Sequence, residues 1–206
     1  MGIKAVTAID ELRNWGRPVI ATGEVARLLH LSESSASHLM RRLSSDHLVE
    51  RVGRGRWLLD REDPLAPVAF LALPHPSYVS GMSALARHDM IDQVPRTIEV
   101  VTPGRSRTIT TLRGRYVLQA IDNALFDGWI LVNEVPIATP EKALFDAVYL
   151  RAARGMADVH LPEIELPPGF DDGKLETWMA RIESARVVAA TRASLARILA
   201  LAERTR

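Results

Sequence analysis

Cysteine is absent from the chain. That excludes disulfides, thiol nucleophiles and cysteine-ligated zinc, and suits a reducing compartment such as the cytosol. Aromatic residues make up only 5% of the sequence, and no apolar run is long enough to span a bilayer. The opening residues MGIKAVTAIDELRNWGR carry acids where a secretory signal would carry an apolar core, so a soluble, non-secreted protein is expected. Phosphate-binding glycine loops are missing as well: neither a Walker A nor a dinucleotide fingerprint occurs. The histidines at 30, 38, 47, 75, 88 and 160 show no metal-ligand spacing, and Ser80-Gly81-Met82-Ser83 lacks the preceding glycine of a nucleophile elbow. Glu99 is followed by Val100-Val101 rather than by the lysine of a nuclease motif. No catalytic residues, cofactor or metal are therefore expected.

What is present is a soluble composition over 206 residues, 47% hydrophobic and 25% charged, with a net charge of only +1. Charge is unevenly spread. Arg51, Arg54 and Arg56 form one basic patch without acids, and Arg105, Arg107, Arg113 and Arg115 form another, whereas DVHLPEIELPPGFDD over 158–172 is acidic and proline-rich. Local basic patches on a near-neutral chain suit contact with polyanions at chosen places.

Periodicity organises the first sixty residues. A helix is expected over 7–15, ended by Gly16 and Pro18, and a second from Thr22 as N-cap. A third follows Ser32, with Ala36, Leu39, Met40 and Leu43 at i, i+3, i+4 and i+7 as one buried stripe. Leu48 to Arg51 and Arg56 to Leu59 read as strands joined across Val52-Gly53-Arg54-Gly55. Helix, helix, turn, helix, hairpin is the order of a winged helix-turn-helix. The stripe leaves Ser34, Ser35, Ser37, His38, Arg41 and Arg42 on the other faces of the third helix. Short hydroxyls let a helix approach DNA closely, arginines reach guanine edges or phosphates, and Arg54 and Arg56 on the hairpin are placed for phosphate or minor-groove contact. The same serines also suit capping, the same arginines suit the helix dipole, and winged helices also serve as protein-interaction modules.

Asp60 to Pro67, DREDPLAP, marks a boundary. Beyond it a short helix is expected over 66–73, another from Ser80 or Ser83 to Met90, and strands near 97–102, 107–111, 115–121 and 129–137. Pro140 then opens the helix PEKALFDAVYLRAA, and one long helix closes the chain over 174–203. In PEKALFD, Lys142 and Asp146 are spaced for a surface ion pair. The expected fold class is α+β: a winged helix-turn-helix over 1–60, followed by a mixed α/β domain over 61–206 that ends in a long helix.

With those residues in view, YVSGMSALARHDM, PRTIEVVTP and IATPEKALFDAVYL behind a winged helix resemble the AbiEi family, the antitoxins of bacterial AbiE-type (type IV) toxin–antitoxin systems used against phage. The likeness spans roughly residues 5–153. It implies an N-terminal domain that binds inverted repeats in its own promoter, as a homodimer on DNA, and represses the operon. It also implies a C-terminal domain that neutralises an AbiEii-like nucleotidyltransferase toxin acting on RNA. Arg105, Arg107, Arg113 and Arg115 are candidates to meet that partner or the DNA flanks, the alternative being a solvated hairpin whose arginines pair with Glu99 or Asp122. Two alternatives stand beside it: a protein that promotes phosphorylation of the toxin, and a plain winged-helix transcriptional regulator. No membrane partner is expected.

Overall fold

A computed structural model describes residues 5–59, 63–112, 114–156, 161 and 163–205. The fold is mixed α+β with two sheets. The first sixty residues form α1 (Ala5–Arg13), β1 (Val19–Ala21), α2 (Thr22–Leu28), α3 (Glu33–Ser45), β2 (Val49–Gly53) and β3 (Arg56–Leu59). The three strands pair antiparallel in the order β1-β3-β2. The apolar stripe of α3 behaves as its spacing predicts: Ala36, Leu39, Met40 and Leu43 are buried, and they join Ala8, Leu12, Ile20, Val25 and Trp57 in one core. Strand β1 was not legible, because three residues carry no period.

Several expected details shift. The N-cap of α2 is Ala21, whose N–H donates to the Glu24 carboxylate at 2.8 Å. Thr22 is thereby released to accept the indole N–H of Trp57 at 2.9 Å and to donate to the Gly55 carbonyl at 3.3 Å.

The second unit is built on a six-stranded sheet in the order β6-β7-β5-β4-β9-β8. Its strands are β4 (Tyr78–Val79), β5 (Ile98–Thr102), β6 (Arg107–Thr111), β7 (Gly114–Ala120), β8 (Trp129–Val132) and β9 (Val135–Ala138). Its helices are α4 (Val68–Leu71), α5 (Gly81–Arg87), α6 (Pro140–Ala153), α7 (Asp172–Met179) and α8 (Ala185–Thr205). The stretch expected as one strand over 129–137 is a hairpin, turning at Asn133 and Glu134 with φ of 49° and 66°. The expected long terminal helix is two helices. It breaks at 180–184, where Ala180 closes α7 and the Ser184 hydroxyl accepts the Val187 N–H at the start of α8. At α6 the expectation holds: Pro140 sits in the first turn and the Thr139 hydroxyl caps the Lys142 N–H. Residues 60–62 of the expected boundary lie outside the described residues.

The two units share packing. Val19, Val52 and Leu58 from the first belong to the large core of the second. Glu50 of β2 accepts the Leu112 N–H beyond β6 at 2.9 and 3.0 Å.

Glu141 fastens the acidic segment to α6. Its carboxylate accepts from the Lys174 ammonium at 2.9 Å and from the Asp171 N–H at 3.2 Å. Burial pushes this carboxyl up, but the hydrogen bonds it accepts outweigh burial and hold it below the ordinary glutamate value. A depressed carboxylate stabilises the fold above its unfolded pKa, near 4.3, and loses that contribution as pH falls through its folded value. Glu141→Gln is therefore expected to lower Tm at pH 7, with the gap from wild type closing on acidification below about pH 4. Melting curves from pH 7 to 3 check this; an equal gap at both ends would show that the charge contributes nothing.

Candidate functional site

Helix α3 has one buried face and one solvent face, and the solvent face holds the sequence-derived candidates. Ser34, Ser35, His38, Arg41 and Arg42 are exposed, and Ser37 is half-buried. Ser32 caps the helix: its hydroxyl accepts the Ser35 N–H at 3.2 Å and lies 2.9 Å from the Ser35 hydroxyl and 3.0 Å from that of Ser34. The result is a cluster of small hydroxyls at the positive end of the helix dipole. One turn later Arg41 Nε donates to the Ser37 carbonyl at 3.3 Å, and its Nη2 lies 3.2 Å from His38 Nδ1. Chemically, this face offers hydroxyl and guanidinium donors to an acceptor-rich surface.

The hairpin is fixed against the same helices. The Gly55 carbonyl accepts the Thr22 N–H at 2.9 Å as well as the Thr22 hydroxyl, while Trp57 behind it is buried and bonded to that hydroxyl. Gly55 has φ +64°, the left-handed conformation that lets the chain reverse with Arg54 exposed at its tip. Arg51 is exposed too, its Nε donating to the Gly53 carbonyl at 3.2 Å.

Arg56 is not presented in this way. Half-buried, it turns to the second unit and donates to the Leu73 carbonyl at 2.6 Å. Arg107 donates to the Leu71 carbonyl. The two guanidinium groups thus meet at the C-terminal end of α4, where free carbonyls favour cations. Arg105, with Arg107 and His75, lines a small cavity of about 180 Å³ at that point. Arg115 is exposed on β7, and Arg113 lies outside the described residues.

A feature that the sequence concealed lies inside α6. Lys142 and Asp146, expected as a surface ion pair, are fully buried, with Lys142 Nζ 2.6 Å from Asp146 Oδ1. The other carboxylate oxygen accepts from the Tyr78 hydroxyl at 2.9 Å and the Ser80 hydroxyl at 2.7 Å. The ammonium lies 4.8 Å from the Phe145 ring centre and 5.3 Å from that of Trp178. Burial drives Asp146 up and Lys142 down, against their mutual attraction. Nearby, Glu99 accepts the Met82 N–H at 2.8 Å, and burial raises its carboxyl. Gly81 has φ +55°, and a Cβ there would stand 1.9 Å from Glu99 Oε2, so this carboxyl requires glycine. Among the described residues no cluster of three or more histidines and acids could hold a metal ion, and no helix is long and apolar enough to cross a membrane.

Removing one partner strands the other charge in the core. Asp146→Ala is expected to cost about 3–5 kcal/mol, while the double change Lys142→Met, Asp146→Leu costs less than the single one. Denaturant unfolding of the three proteins checks the order. Compared with models of protein families and with curated proteins, the chain matches none.

Proposed function

We infer that this chain is a DNA-binding antitoxin that represses its own operon, its first unit acting as a winged helix-turn-helix. The observation that carries DNA binding is the exposed face of α3, with Ser34, Ser35, His38, Arg41 and Arg42 outward, beside a hairpin whose tip presents Arg54. In this reading α3 lies in the major groove: the capped hydroxyls let the helix N-terminus approach a phosphate, and Arg41 and Arg42 reach base edges or backbone. Arg54 takes the adjacent minor groove or its phosphates. Arg56 leaves the contact set and acts as the tie that holds the hairpin to the second unit.

The antitoxin half of the reading rests on the resemblance of YVSGMSALARHDM, PRTIEVVTP and IATPEKALFDAVYL to AbiEi antitoxins. Those segments build the core of the second unit: Tyr78 and Ser80, strand β5, and the Lys142–Asp146 pair of α6. The second unit is the part proposed to neutralise a nucleotidyltransferase toxin.

DNA from upstream of the operon, titrated with full-length protein over a range of salt concentrations, tests the first half. Arg41→Ala with Arg54→Ala is expected to weaken binding by about 1–3 kcal/mol per lost base contact, and each lost phosphate contact lowers the salt slope by about 1. Unchanged affinity and slope would remove α3 and the hairpin as the reading surface.

A further inference from the structure

Helix α3 carries two adjacent exposed arginines, Arg41 and Arg42, and they are held differently. Arg41 folds back along its own helix: its Nε donates to the Ser37 carbonyl at 3.3 Å, and its Nη2 lies 3.2 Å from His38 Nδ1. Among the described residues no such bond holds the Arg42 guanidinium. Nε and Nη2 share one edge of the planar guanidinium, so in Arg41 that edge faces the helix. The end edge, an N–H of Nη1 beside the second N–H of Nη2, is left to solvent as two parallel donors. A guanidinium donates and never accepts. His38 Nδ1 is therefore the lone-pair nitrogen, which fixes the imidazole as the neutral tautomer with its proton on Nε2.

The fold-back decides where that fork stands. It draws the charge of Arg41 one turn toward the helix N-terminus, level with Ser37 and His38 and next to the turn where the Ser34 and Ser35 hydroxyls cluster. In a recognition helix the N-terminal residues are the ones that contact base edges. Two parallel donors in one plane match two neighbouring acceptors. In the major groove only guanine offers that pair, O6 and N7: adenine sets an acceptor beside a donor, thymine has one acceptor and cytosine a donor. A phosphate also accepts such a fork, but the short serine hydroxyls beside it bring this part of α3 close to the floor of the groove.

Resting on the DNA-binding reading above, we propose that Arg41 reads a guanine in each half-site through its end-on fork, and that His38 is the positioning residue that holds the fork ready. His38 need not touch the guanine to act. A side chain already held at Nε and Nη2 loses less rotamer freedom on binding than one free in solvent, so the correct base gains more from it. Arg42, unheld, is left to the sugar–phosphate backbone, where the contact carries no sequence information.

Selection of full-length protein on a random-sequence duplex library, followed by binding of the enriched site with single bases exchanged, tests both assignments. Wild type is expected to enrich a site with one guanine per half-site whose exchange for adenine weakens binding by about 5- to 140-fold. Arg41→Lys keeps the charge without the fork, and is expected to bind at low salt with that ratio collapsed toward one. His38→Ala is expected to reduce the ratio, and His38→Asn, whose amide oxygen takes the place of Nδ1, to restore it. Circular dichroism of each variant, expected to match wild type, separates these effects from misfolding. A guanine preference that survives Arg41→Lys would overturn the assignment and make Arg41 a phosphate contact. A preference equally strong in His38→Ala, or reduced alike in His38→Ala and His38→Asn, would overturn the role of His38. A wild type that enriches no sequence would remove the DNA-reading surface itself and the proposal with it, an outcome distinct from the other two.

Discussion

The second unit is organised around one buried charge pair. Lys142 and Asp146 sit one turn apart on α6, and neither can be in the core without the other. Satisfying them dictates what surrounds the helix. Asp146 draws the Tyr78 and Ser80 hydroxyls from β4 and its end, fixing the central strand against α6. Lys142 lies against the rings of Phe145 and Trp178, which themselves pack 5.5 Å apart, and this brings α7 onto the same helix. Trp178 then donates to Asp127, which also holds Arg181. Position 128 must then be glycine: its φ is +74°, and a Cβ there would stand 2.6 Å from Trp178 and 3.0 Å from Lys142. A strand, a loop and a helix thus take their places from two charges that a hydrophobic core would ordinarily exclude.

Legibility in the sequence follows the same line. Helix α3 could be read because its apolar residues keep the helical period and its polar residues face water. The hairpin β2–β3 could be read because glycines flank Arg54. Helix α6 was legible as a helix from Pro140 and Thr139 but not in its role: Lys142 and Asp146 at i, i+4 look like a surface pair, and only tertiary packing shows them inside. The β8–β9 hairpin read as one strand because its turn, Asn133-Glu134, lacks the glycine that usually announces such a reversal. The break between α7 and α8 was hidden because apolar residues continue at helical spacing across it, while Ser184 restarts the helix through a single cap. Of the candidate site, Ser34, Ser35, His38, Arg41, Arg42 and Arg54 are exposed as expected. Arg56 is not, because its partner, the Leu73 carbonyl, is 17 residues away in the chain and belongs to the other unit.

That partner matters for how the two units work together. Arg56 and Arg107, from β3 and β6, end on carbonyls two residues apart at the close of α4. Glu50 meets the Leu112 N–H on the far side of β3, and Val19, Val52 and Leu58 add apolar contact. The hairpin that presents Arg54 is therefore braced by the second unit as well as by Thr22 and Trp57. Rigid bracing lowers the entropy lost when a loop-borne arginine is immobilised on a partner.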